Sequence, residues 1–200
     1  MITKEEVILA SGLHNSRVQN IYVFGSRCYG TASDKSDWDI LIIAKTPYPE
    51  KELVVGNFNI HIVTLDRFLE QLKQFHIGRI ECLMSPIILQ EEVKIAFEMK
   101  LDSLRHSISH ICSNSWVKAK KKLEQGDYYI GIKSLFHSLR ISMFGKQLVE
   151  HGKIVDWQCA NSIWEKLQSK QWTWQELDAE FRLQRNNLLT QFRKITQLTN

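Results

Sequence analysis

The sequence is short of proline, with three, and of cysteine, with four, and it contains no long uninterrupted apolar run. Each shortage closes off a class of protein. Cys28, Cys82, Cys112 and Cys159 stand far apart in no metal-finger spacing, which argues against a zinc module or a disulfide framework and predicts reduced thiols. Without a stretch approaching ~20 apolar residues, no membrane-spanning helix and no membrane partner are expected. "MITKEEVILASG" carries acidic residues where a signal peptide needs a basic flank, so a cytoplasmic protein is expected. Internal repeats and low-complexity segments are missing as well. There remains an ordinary globular composition, 44% hydrophobic and 24% charged, over 200 residues, enough for one large domain or two small ones. The net charge of +4 suits an anionic ligand such as a nucleotide or an RNA without demanding one.

Pattern along the chain separates a strand-rich front from a helical remainder. Residues 3–17 read as a helix with Thr3 as N-cap and Glu6 three positions later, the reciprocal capping pattern. "NIYVFGS" (20–26), "DWDILIIA" (37–44) and "FNIHIVT" (58–64) are apolar, β-branched and bounded by turn residues, and they read as strands. "KTPYPEKELVVGN" reads as a proline-containing connection. From Leu65 onward the apolar residues recur at i, i+3 and i+4, and "SPIILQEEVKIAF" is taken into the long amphipathic runs. Asp127 is expected to cap a helix that ends at Gly152, and two further helices come after it. The expected fold class is α+β: a small mixed sheet with helices over residues 1–90, then a C-terminal helical bundle over 91–200.

The chemistry concentrates in "FGSRCYGTASDKSDWDI" (24–40). Residues two apart on a strand project to one face, so Asp37 and Asp39 are expected together, ~6.6 Å apart along the strand, opposite the apolar side of Trp38, Ile40 and Ile42. Two neighbouring carboxylates repel, and a divalent cation between them removes the penalty. Oxygen-loving Mg²⁺, which takes one or two carboxylates plus substrate phosphates, suits such a pair. Gly25 ends the preceding strand without a side chain, so the Ser26 and Arg27 amides and the Ser26 hydroxyl can approach phosphate oxygens, and Arg27 adds a positive charge. The bland alternative, strand-edge charges that discourage aggregation, does not explain the Gly-Ser turn at this spacing.

"FGSRCYGTASDKSDWDILII" resembles the signature of the DNA polymerase β-type nucleotidyltransferase superfamily: an apolar residue, Gly-Ser, a spacer, then Asp-apolar-Asp before an apolar run. Gly25, Ser26, Gly30, Ser36, Asp37 and Asp39 fit it together over residues 21–43. More loosely, residues 63–86 resemble the segment after the core in uncharacterised predicted nucleotidyltransferases. The resemblance implies transfer of a nucleoside monophosphate from an NTP, with ATP the first expectation, to an acceptor with release of pyrophosphate. It implies Mg²⁺ or Mn²⁺ held by Asp37 and Asp39, and Gly25 and Ser26 on the triphosphate with Arg27 assisting. It also implies a third carboxylate on a following strand, which binds metal or deprotonates the acceptor. Here that strand is matched by "FNIHIVT", where His61 is expected at the third position, beside the acceptor, as base or ligand. Glu81 is a second candidate for the missing carboxylate, with a surface salt bridge as its ordinary reading.

Lys118, Lys120, Lys121 and Lys122 read as a solvated helix face first and as a nucleic-acid cleft second. Lys133, His137 and Arg140 fall on one helical stripe, which places Lys133 and Arg140 among the candidate nucleotide-binding residues if the stripe faces the α/β unit. The tryptophans of the last helices read as bundle core or as a homodimer seam ahead of base-stacking platforms. No histidine follows Arg185 at the spacing an Arg-x₄₋₆-His ribonuclease motif of helical toxin domains needs, so RNA cleavage is not expected. The acceptor stays open among an RNA 3′ end, a protein hydroxyl, an aminoglycoside and a small metabolite. The competing reading is a nucleotide-binding module without turnover, a sensor or antitoxin-like partner; a helical scaffold with a vestigial front domain is a third.

Overall fold

The computed structural model describes residues 2–198 and separates the chain into two compact units, divided between Glu98 and Met99. The front unit begins with helix α1 (Lys4–Ser11), where Thr3 Oγ1 accepts from the Glu6 amide and the Glu6 carboxylate accepts from the Thr3 amide. This reciprocal cap is worth about 1 kcal/mol. The helix is shorter than the sequence suggests. Gly12 takes a left-handed conformation (φ 69) and stops it, and a 3₁₀ turn over Asn15–Arg17 leads into the sheet.

Five strands follow: β1 (Val18–Phe24), β2 (Trp38–Ala44), β3 (Lys51–Val55), β4 (Phe58–Thr64) and β5 (Ile88–Glu91), arranged β3-β4-β2-β1-β5. β2 and β4 run parallel while every other neighbouring pair is antiparallel, so the sheet is mixed. Helices α2 (Ser26–Tyr29), α3 (Leu65–Lys73) and α4 (Ile77–Leu83) complete the unit. Ile40 through Ala44 are all buried, so both faces of β2 are covered and its sequence is a continuous apolar run rather than an alternation. Burying each such aliphatic side chain contributes about 1.5–3 kcal/mol.

Two strands escape the sequence pattern. β3 lies inside the segment read as a connection, and its five residues are exposed or half-buried, so no apolar face announces it. It exists because it pairs with β4 through the Gly56-Asn57 turn, where Gly56 has φ 58. β5 lies in the stretch read as helical; its edge pairing with β1 is extended by Gln90 Nε2 donating to the Val18 and Gln19 carbonyls. Beyond it, the Asn20 side chain holds the backbone of Glu92 and Val93, which keeps the segment after residue 90 in the front unit.

The second unit is entirely helical: α5 (Leu101–Glu124), α6 (Tyr128–His151), α7 (Asn161–Gln168) and α8 (Trp174–Leu198). α5 and α6 form a long hairpin, ~36 Å per arm, and close approach at its turn requires Gly131, where a Cβ would lie 2.6 Å from Leu123 Cγ. Asp127 stands at the start of α6 but makes no side-chain cap; its carboxylate takes Lys122 Nζ at 3.1 Å instead. Gly152 ends α6 in a left-handed conformation (φ 68), as expected. Leu135, Phe136, Leu139, Ile163, Leu177 and Phe181 anchor the core, with Trp116, Trp164, Trp172 and Trp174 packed against it. All four cysteines are free thiols, and no described helix is long and apolar enough to cross a membrane.

The units differ in charge. Residues 1–98 carry 10 basic and 13 acidic side chains, a net of −3, and residues 99–200 carry 16 and 9, a net of +7.

Candidate active site

β1 ends at Phe24, and the chain turns at Gly25 with φ 78 and ψ −155 before entering α2. Only glycine fits. A Cβ there would lie 2.1 Å from Asp39 Oδ2, so the bare backbone of the turn and the Asp39 carboxylate occupy one site. Sheet register explains the meeting, because Phe24 on β1 is paired with Asp39 on β2. No side chain caps the first amides of α2, and the Ser26 hydroxyl has no intramolecular partner among the described residues. The Gly25 carbonyl accepts from the Cys28 and Tyr29 amides, which locks the turn from behind.

Asp39 is half-buried, and its Oδ1 accepts from Asn59 Nδ2 at 3.0 Å. Asp37 precedes β2, is exposed, and makes no hydrogen bond or ion pair among the described residues. It is delivered by a braced loop. Ser36 Oγ accepts from the Ser33 amide at 2.9 Å, the Ser36 amide donates to the Ser33 carbonyl at 3.0 Å, and Trp38 N–H donates to the Asn57 carbonyl at 2.8 Å. Arg27 belongs to this brace: its guanidinium donates to the Ser36 carbonyl at 2.5 Å and lies 4.5 Å from the Trp38 ring centroid. Its Nε is buried without a hydrogen bond.

The strand register puts Asn59, not His61, level with Asp39; His61 is one pair further along on the same face, opposite Leu41. His61 Nδ1 lies 3.2 Å from Glu52 Oε1, and its ring meets the edge of Phe24 at 5.8 Å. The sequence pattern does not single out Asn59. Its signal is weak, since an Asn beside a His on one strand face does not reveal which of them aligns with a carboxylate on a different strand. Glu81, on α4, is 3% exposed and accepts a hydrogen bond from the Tyr29 hydroxyl at the end of α2. It ties α2 to α4 from within the core. No group of three His, Cys, Asp or Glu side chains suited to a metal ion exists among the described residues.

Residues 8–94 match the family described as polymerase beta, nucleotidyltransferase. The match covers most of the front unit. A solved structure, a nucleotidyltransferase-like protein from Exiguobacterium sibiricum 255-15, is similar at 16% identity over 96% of this chain and 73% of its own, with a TM-score of 0.35. No curated protein matches the chain. Within residues 8–94 the Gly25 turn and Asp39 are brought together, with Ser26 next in the chain, while Asp37 stands exposed before the same strand and His61 sits further along its neighbour.

The other candidates lie in the helical unit. Lys133 is exposed, with its ammonium 5.7 Å from the Tyr129 ring centroid. Arg140 is 1% exposed, stacks over Phe144 and has His137 Nδ1 3.0 Å from its guanidinium. Burial, with the cations of Arg140, Lys118 and Lys133 adding to it, pushes the His137 imidazole down to about 3. Lys120 and Lys122 pair with Glu124 and Asp127, as befits a solvated face.

Proposed function

We propose that the chain is a metal-dependent nucleotidyltransferase that moves a nucleoside monophosphate from an NTP, ATP first, to an acceptor with release of pyrophosphate. The observation that supports this is the contact between Gly25 and Asp39, in which only a side-chain-free turn leaves room for the carboxylate. Uncapped amides at the start of α2 and the unengaged Ser26 hydroxyl supply donors for phosphate oxygens beside that carboxylate. Asp39 and the exposed Asp37 fit a hard divalent ion such as Mg²⁺ or Mn²⁺, which binds through one or two carboxylates and completes its shell with phosphates. Such an ion supplies charge neutralisation on the phosphates and activation of the attacking oxygen. Arg27 acts by holding the Asp37 loop against Trp38 rather than by reaching outward. His61, with Glu52 at its Nδ1, is the group on this face able to take the acceptor's proton.

With purified protein, labelled ATP and Mg²⁺ or Mn²⁺, Asp39→Asn is expected to lower transfer by roughly 10²-fold or more. Equal labelling by this variant and the parent removes Asp39 from the metal site.

One observation favours a second reading. His61 stands where the resemblance calls for a third carboxylate, and the residue level with Asp39 is Asn59, a neutral amide, so in this reading the domain retains nucleotide binding with slow or no turnover. Calorimetry with ATP and Mg²⁺ separates the two: heat of binding without pyrophosphate release under either ion selects the module, and stoichiometric pyrophosphate release selects the enzyme.

A further inference from the structure

A pocket of about 360 Å³ opens on the helical unit between α5 and α8, lined among others by Trp116, Lys120, Trp174, Arg182, Arg185 and Asn186. Its volume is that of a small-ligand site. Trp116 and Trp174 meet edge to face at 5.5 Å and form an aromatic wall. Arg182 is committed, since its guanidinium lies on Asp178, the pocket's acid.

Arg185 is different. Its guanidinium lies 5.1 Å from the Trp116 ring centroid, donates to Ser113 Oγ at 3.2 Å and Asn186 Oδ1 at 3.3 Å, and keeps a buried Nε without a hydrogen bond. Burial lowers its pKa, the mark of a cation drawn partly out of water. No carboxylate pairs with it among the described residues. A half-desolvated guanidinium held against an indole, facing a pocket, is a receptor for an oxyanion. Beyond the pocket, Lys118 and Lys121 are exposed on the same stretch of α5, in a unit of net charge +7.

We propose that this pocket binds one nucleotide of a single-stranded nucleic acid, with its phosphate on Arg185, its base against the Trp116–Trp174 wall and the flanking phosphates along the α5 lysines. Paired aromatic and basic groups are what single-strand binding uses. The lysines outside the pocket favour a polymer over a free nucleotide, and the indoles favour bases over the carboxylates of an acidic peptide. This site is independent of the transfer reaction.

The test uses the full chain carrying Asp39→Asn, in EDTA, so that metal-dependent nucleotide binding in the front unit contributes nothing. A fluorescein-labelled oligouridylate 12-mer is titrated by anisotropy at several salt concentrations. Arg185→Gln is expected to weaken binding about tenfold and to flatten the slope of log Kd against log salt by ~0.7, one phosphate contact on a single strand; Arg185→Lys restores part of both. Lys120→Gln, at an exposed position, is expected to lower the slope with little change in the melting temperature. Unchanged oligonucleotide affinity in both Arg185→Gln and Lys120→Gln overturns the proposal. So does a UMP affinity equal to that of the 12-mer, or equally tight binding of an oligoglutamate peptide.

Discussion

The front unit keeps its acids in excess and gathers one of them, half-buried, against a backbone turn; the helical unit keeps its bases in excess and lays one, half-buried, against an indole. In each case a charge is held partly out of water beside a surface shaped for something else. The physics is the same with the sign reversed, because an ion drawn into a low-dielectric setting carries a desolvation penalty that a ligand of opposite charge relieves. The units reach that state by different routes. In the front unit, strand register brings Phe24, Asp39 and Asn59 level, which sets the Gly25 turn after Phe24 against the Asp39 carboxylate. In the helical unit, side-chain packing of Trp116 and Trp174 against the core sets the pocket wall.

Gly25 is where this parallel is most exposed to failure. Gly25→Ala introduces a Cβ into the Asp39 carboxylate and an alanine at φ 78, so a loss of about 2–4 kcal/mol in stability is expected together with loss of nucleotide binding. Urea unfolding and ATP calorimetry read the two; an alanine variant with parental values of both dissolves the contact on which the site rests. Next in size is the tie behind α2. Tyr29→Phe removes the hydrogen bond to buried Glu81 and is expected to cost about 1–3 kcal/mol, with any change in nucleotide affinity appearing in KM more than in kcat.

The helical unit offers an acid-side test. His137 has a folded-state pKa near 3, below its unfolded value of 6.5, so the unfolded chain binds the extra proton between those limits. Stability is therefore full above pH 6.5 and falls as the pH drops toward 3, by roughly 2 kcal/mol at pH 5. Melting temperatures of the parent and of His137→Gln between pH 7 and 5 are expected to converge on acidification, and parallel curves exclude His137 as the source. The smallest effect is at the far end of the front unit, where Thr3→Ala should cost about 1 kcal/mol by losing the α1 cap, with no effect on ligand binding.

Much of the front unit is legible in the residues themselves. Thr3 and Glu6 announce α1, the β-branched runs announce β1, β2 and β4, and the Gly-Ser turn with Asp37 and Asp39 announces the site, because cap chemistry, strand period and motif spacing are all local. β3 and β5 are not, since an edge strand gains its hydrogen bonds from a neighbour and need not bury a face of its own. Asp127 shows a similar limit: its position at the start of α6 is local, but the choice between capping and pairing with Lys122 belongs to the hairpin.

Residue order alone sets the succession of most strands and helices, the glycine turn and the pair of acids, since these depend on φ/ψ preference, period and spacing within a few residues. It took the folded arrangement to put Asn59 level with Asp39 and His61 one pair further along, to lock Glu81 to Tyr29, and to lay Arg185 on Trp116. Those outcomes depend on register and packing between segments far apart in the chain, and no local preference encodes a partner's position.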